Sequence, residues 1–322
     1  MAAGDDAIRA AMTPLARALA FCARHGRWGL VVGLACGLTL PGLAAAMRPW
    51  LPQMVAGLLF ITAFRIGYSA SVGKVTDLPR VCAEALVLQL CLPLFGFGLF
   101  WVFGLNGALA ATAIVLMLAA PSISGSPNFS ILMGHDPAPA MQVLVVGTAL
   151  FPLTSIPVLL LLGSAFGGAG TVLSIGLTLI AVIFLATGAG FALRAIVLPR
   201  PTAAQLQSLD GVGVLALAII VVGLMAGIGP ILEASPLSLL GWVALVFAAN
   251  FGLQIVSYRS IRHIVPAPRA APLSIISGNR NVAMFLLALP AGVTDELLVF
   301  IGCYQLPMYL TPLLLRWFYR IG

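Results

Sequence analysis

Charge is scarce in this chain. Aspartate, glutamate, lysine and arginine together supply 8% of 322 residues, with 9 acidic groups against 16 basic ones. Soluble domains carry about a quarter of their residues charged, so that class is excluded before any motif is read. Histidine is scarcer still: His25, His135 and His263 stand singly near the ends of apolar segments, whereas a metal site needs neighbouring ligands. The five cysteines (Cys22, Cys36, Cys82, Cys91 and Cys303) are odd in number, widely spread and without CxxC spacing. They support neither a disulfide framework nor a zinc site. GxSxG, HExxH and P-loop patterns are missing, and no nucleophile, base and orienting group stand together. The chain therefore reads as a non-enzyme with no cofactor and no resident metal.

Apolar residues, by contrast, make up 61% of the chain, and mean hydropathy is +1.12. Runs of roughly 20 apolar residues, each long enough to cross about 30 Å of hydrocarbon as a helix, recur from end to end. Ten are expected, at 28–47, 51–70, 82–103, 107–133, 139–162, 170–197, 211–232, 237–256, 270–290 and 297–318. Alternate connections differ sharply in basic content. Arg9, Arg17, Arg24, Arg27, Lys74, Arg80, Arg194, Arg200, Arg259, Arg262, Arg269, Arg316 and Arg320 fall on one side, and Arg48 on the other. Basic residues near short loops resist translocation, so the first side is expected to be cytoplasmic, with both termini there, in a plasma or bacterial inner membrane. The net charge of +7 then serves orientation and headgroup contact, and no nucleic-acid patch is visible.

Trp28, Trp50, Trp101, Trp242 and Trp317 lie near expected helix ends, the depth that amphipathic rings prefer. Residues 1–27 lack the unbroken apolar core of a cleaved signal. Ile8, Met12, Leu15, Leu19 and Cys22 repeat at spacings of four and three, which reads as a cytoplasmic amphipathic segment.

Two apolar segments are interrupted at matching places in the two halves: PSISGSPN at 121–128, and SGNRN at 277–281. Backbone can leave its helical hydrogen bonds inside a bilayer only where protein or a watery cavity takes over, so paired interruptions point to a midplane binding site. Ten spans divide into five and five, and five is odd. The second half then enters from the opposite face, giving inverted repeats over 28–162 and 163–322 with the fourth and ninth helices broken and facing each other. The expected fold is thus an all-α polytopic membrane protein. Gly and Pro are common in membrane helices for packing alone, but two matching breaks that both carry amides and hydroxyls favour a site. Its candidate lining is Ser124, Ser126, Asn128, Ser277, Asn279, Arg280 and Asn281.

Arg280 is the sharpest single lead. An arginine near the bilayer centre costs at least about 2.5 kcal/mol and needs an anionic or carbonyl-rich partner. Two roles stay open for it: ligand of an anionic substrate, or a lock bonded only to backbone carbonyls exposed by the breaks. Arg65, near the cytoplasmic end of its span, is expected to snorkel to water rather than to contact a substrate or gate.

Residues 107–162 and 270–290 resemble the bile acid:sodium symporter family. APSISGSPN at 120–128 is similar to that family's Pro-Gly-Gly-Thr-Ala-Ser-Asn break, HDPAPA at 135–140 resembles its following turn, and GNRN at 278–281 resembles its Gly-X-Gln-Asn signature. Gln89, four residues before Pro93, resembles a glutamine on its third helix, and joins the candidate substrate-binding residues. The resemblance implies ten helices with the fourth and ninth crossed, a core domain of helices 3–5 and 8–10, and a panel domain of helices 1, 2, 6 and 7. It also implies alternating-access transport of a carboxylate or bile-acid-like amphipath. The departures matter as much. Ile276 stands where the family has a sodium-ligating glutamate, Arg280 where it has glutamine, Pro127 in ungapped register with its asparagine, and Ala140 and Leu144 at its hydroxyl positions. Sodium needs several oxygen ligands and apolar side chains supply none, while a fixed guanidinium repels a second cation. The expectation is a transporter of a small organic anion that is not coupled to sodium in the family's usual way. A nontransporting membrane receptor or scaffold on the same fold is the alternative.

Overall fold

The computed structural model describes residues 13–68 and 77–321, and the chain is helical throughout them. Arg9, Ile8, Met12, Lys74 and the last two residues of the expected 51–70 span lie outside the described residues. In chain order the helices are α1 Pro14–Arg24, α2 Gly26–Thr39, α3 Pro41–Met47, α4 Leu51–Ile66, α5 Leu78–Leu86, α6 Leu92–Val102, α7 Leu109–Ala119, α8 Ser126–Leu132 and α9 Ala138–Leu161. They continue as α10 Gly163–Phe166, α11 Ala169–Val197, α12 Ala203–Leu224, α13 Ile228–Ala234, α14 Pro236–Ile261, α15 Ala267–Gly278, α16 Ala291–Leu314 and α17 Arg316–Ile321. Among the described residues seven helical runs are long and apolar enough to cross a membrane: Pro41–Ile66, Leu78–Val102, Ala138–Leu161, Ala169–Val197, Ala203–Ala234, Pro236–Ile261 and Ala291–Leu314. The protein is an all-α polytopic membrane protein.

The chain divides into two compact units, Met1–Ala70 with Phe184–Ala226, and Ser71–Ile183 with Gly227–Gly322. In the first unit α12 packs against α1, α2, α3 and α4. Small residues let these backbones approach. A Cβ added to Gly33 would lie 2.6 Å from the Ala218 carbonyl oxygen, and one added to Gly37 would lie 2.6 Å from Met225.

Two expected boundaries move. The first span was placed at 28–47 and the second at 51–70, parted near Arg48. The helix instead breaks at Leu40 (φ −120, ψ 66), and a 3-10 turn over Arg48–Trp50 carries α3 into α4. Proline explains both. Pro41 disfavours helical geometry at the residue before it, while Pro49 sits in the opening turn of its segment, where its missing N–H costs nothing. The amphipathic N-terminal segment likewise does not end at a free boundary. Only His25 separates α1 from α2, and α1 buries Ala20 against the same α12 that α2 packs on.

In the second unit α15 packs on α14, α9 and α8, and α16 packs on α14 and α7. The third expected span is one helical run, Leu78–Val102, with a π-turn over Val87–Cys91. The spans expected at 107–133 and 270–290 are both broken. The first is α7, an extended stretch and α8; the second is α15, a three-residue gap and a 3-10 turn over Val282–Leu287.

Candidate functional site at the crossing of two broken helices

Pro121 has no N–H and begins a stretch poor in helix formers, so α7 stops at Ala119 and the chain runs out of helix to Ile123, then turns through Ser124 and Gly125 before Ser126 opens α8. In the other half α15 stops at Gly278, and Asn279 leaves the helix at φ −107, ψ 85. Gly278 has no room for a side chain, since a Cβ there would lie 2.5 Å from Gln254 Cγ. The two gaps then bond each other. Ile123 N–H donates to the Asn279 carbonyl at 3.2 Å, Asn281 N–H donates to the Pro121 carbonyl at 2.7 Å, and Ser122 pairs antiparallel with Arg280. Each break thus supplies partners for backbone groups that lipid would leave unsatisfied.

Arg280 lies at the centre of this crossing and is 1% exposed. Its Nε donates to the Ser277 carbonyl at 2.9 Å, one terminal nitrogen to Ala120 at 3.1 Å and the other to Leu88 at 3.0 Å. All three acceptors are backbone oxygens freed by breaks in helical bonding. Ala120 and Ser277 belong to the C-terminal ends of α7 and α15, where the helix dipoles are negative. Leu88 lies in the π-turn: Leu92 N–H reaches back to Val87, and Pro93, the donor a π-turn would next offer, has no N–H. The Leu88 carbonyl is therefore left for Arg280. A guanidinium has five N–H donors, and three are engaged here. No carboxylate pairs with it among the described residues. Glu84 is held by Arg269 through a two-pronged ion pair at 2.7 and 2.5 Å, and Arg269 also donates to Gln142 at 3.1 Å.

The other expected site residues sort into two groups. Ser277 is buried and donates to Ser274 at 2.7 Å and Leu253 at 3.3 Å. Asn279 is buried, donating to Ile275 at 2.8 Å and accepting from Thr311 at 3.1 Å. Ser126 is buried and accepts from Ser122 at 2.8 Å. Gln89, also buried, accepts from Thr154 at 3.4 Å and lies against Gly147. With Arg280 these form the frame of the crossing. Ser124 and Asn281 are half-buried and Asn128 is exposed.

Five framing residues were missed from sequence. Asn250 and Tyr304 both donate to the Gly278 carbonyl, capping α15, and Tyr304 accepts the Arg280 backbone N–H at 3.3 Å. Gln254 donates to Asn250 at 2.6 Å and Thr311 at 3.1 Å, and accepts from Tyr319 at 3.3 Å. Asn250 and Gln254 are four residues apart on one face of an apolar helix, a pattern of intramembrane amides that does mark a site. Thr311, Tyr304 and Tyr319 carry no such signal, because single hydroxyls are ordinary in membrane helices.

The residues that the resemblance would put at sodium-ligand positions, Ile276, Ala140 and Leu144, are all apolar and buried. Ile276 and Ala140 join Val81, Val143 and Leu273 in one buried cluster, and Leu144 is buried as well. Among the described residues no group of three or more His, Cys, Asp or Glu side chains could hold a metal ion. Arg65 does not snorkel freely as expected. It forms a two-pronged ion pair with Asp210 at 2.7 and 3.2 Å, and Arg194 donates to the carbonyls of Phe64 and Arg65 at 3.0 and 3.2 Å. A carboxylate within reach holds the head group better than a longer climb to water. The chain matches no protein-family model, and comparison with curated proteins yields no match.

Proposed function

We propose that this protein is a secondary membrane transporter of a small organic anion, of the general kind found in the bile acid:sodium symporter family, working by alternating access without sodium. In this reading the chain forms ten spans in two inverted five-helix repeats, with both termini cytoplasmic. The second unit, helices 3–5 and 8–10, is the moving core and the first unit its panel. The observation that carries the reading is Arg280: a buried cation at two helix C-termini, bonded to three carbonyls and matched by no carboxylate. A cation held at such depth costs at least about 2.5 kcal/mol, and it supplies permanently the field that a bound sodium would supply in a coupled carrier. Arg280 locks the breaks and lends its field to the site, while Ser124, Asn128 and Asn281 contact the solute. The solute is a carboxylate or an anionic amphipath.

Proteoliposomes test this. Saturable uptake of organic carboxylates should be equal in sodium and in choline buffers. Arg280→Lys, which keeps the charge, should retain more uptake than Arg280→Gln. A strict requirement for sodium, or equal carboxylate affinity in wild type and both variants, would sink the proposal. Binding without flux would assign the receptor or scaffold role instead.

A further inference from the structure

Among its described residues the first unit has a single carboxylate, Asp210, and Arg65 engages it. Among the described residues of this unit Arg17 and Arg24 therefore have no acidic partner, and both are exposed. They lie on α1 with Phe21 between them and Trp28 beyond, in the order Arg17, Phe21, Arg24, Trp28. The spacings of four and three residues put Arg17, Phe21 and Arg24 on one stripe of α1, and Trp28 stands in the first turn of α2, past the non-helical His25 (φ −106, ψ 22). Phe21 and Trp28 are 56% and 59% exposed, so the stripe is uncovered along its length. Ala20, three residues after Arg17 and four before Arg24, is buried against α12, so the exposed stripe borders that helix contact. Two cations flanking an aromatic ring, with a second ring at the start of the next helix, fit one environment in particular, the headgroup layer of a bilayer. There rings take the depth between tail and water, and guanidinium groups fork to phosphate oxygens.

We propose that this face of α1 is a docking surface for anionic phospholipid headgroups, with Arg17 and Arg24 binding lipid phosphates and Phe21 and Trp28 seated at the acyl boundary. Charge complementarity argues for the anionic lipid: two exposed guanidinium groups with no counter-charge among the described residues of their unit meet a surface that carries it. Each arginine near such a surface is worth about a fivefold preference for it. The surface is independent of what the protein transports.

The test uses the full-length protein in nanodiscs of phosphatidylcholine alone and of phosphatidylcholine with phosphatidylglycerol. Melting temperature and the phosphatidylglycerol retained in native mass spectra are both read. Phosphatidylglycerol should raise the melting temperature of wild type. Arg17→Gln with Arg24→Gln should abolish the rise and weaken apparent phosphatidylglycerol affinity roughly 25-fold, while Arg17→Lys with Arg24→Lys should keep most of both. Because each variant is compared with itself across the two lipids, a general loss of stability does not mimic the effect. An undiminished rise and undiminished lipid retention in the double glutamine variant would overturn the proposal.

Discussion

Two buried arginines in this protein perform the same local task under opposite conditions. In the first unit Arg194 donates to the carbonyls of Phe64 and Arg65 at the end of α4, and the neighbouring Arg65 is paired with Asp210. In the second unit Arg280 donates to Ser277, Ala120 and Leu88, with Tyr304 as its only side-chain neighbour in hydrogen-bond contact. Arg194 falls in the last turn of α11, within reach of a span's end, and has a carboxylate in its cluster. Arg280 falls in the gap of a broken helix and has none. An arginine that only caps a helix can be placed where charge is cheap. One placed where charge is dear implies either a ligand to balance it or a frame that collapses without it.

The first way to break that contrast is Arg280→Gln. Three buried carbonyls lose a charged donor, and each unsatisfied buried group costs about 1–3 kcal/mol. The expected result is the largest fall in melting temperature of any single change here, accompanied by loss of anion uptake. A melting curve that matched wild type would show the crossing does not depend on the guanidinium. Next in size is Glu84→Gln, which leaves Arg269 buried without its counter-ion at a cost of about 3–5 kcal/mol. Neutralising both partners, with Arg269→Gln added, should restore part of the loss in a double-mutant thermal cycle.

Asp210→Asn sharpens the contrast from the other unit. The Arg65 and Asp210 side chains are 32% and 36% exposed, so solvent screens the pair, and the cost should stay below about 1 kcal/mol. A drop as large as that of Glu84→Gln would mean the pair is shielded in the membrane. The smallest effect concerns His135, in the turn between α8 and α9, whose ring meets Tyr319 edge-on at 6.2 Å. Burial pushes its pKa below the ordinary histidine value, partly opposed by a hydrogen bond with the Tyr319 backbone. The unfolded chain then binds the proton more readily than the folded one. Stability from this group is complete above the ordinary histidine pKa and is lost as pH falls through that value toward the lower folded one. Melting temperature should thus decline between about pH 7 and pH 5.5, and His135→Asn should flatten that part of the profile.

The sequence allowed the interruptions to be located because Pro121, Gly125, Gly278 and three amides stand out in apolar surroundings, and each has a local reason to end a helix. It did not allow the first two span boundaries to be placed, since Arg48-Pro49-Trp50 invites a boundary that the helical run passes through and only Pro41 marks the true break. Arg280 was legible as a buried cation needing partners. Its partners were not, because the Leu88 carbonyl is free only through a π-turn 192 residues away in sequence. Asp210 was equally hidden from Arg65 by a separation of 145 residues.

Composition and local chemistry by themselves determined that this chain is an all-α membrane protein and which two apolar segments are interrupted, because propensity and solvent preference act residue by residue. Tertiary structure alone decided that the two interruptions bond one another in antiparallel register, that a single guanidinium ties three separate segments, and that of the expected residues Ser124, Asn128 and Asn281 stay partly or fully exposed while the others are buried. Hydrogen bonds are directional and short-ranged, so which donor meets which acceptor is settled only when distant segments have been brought together.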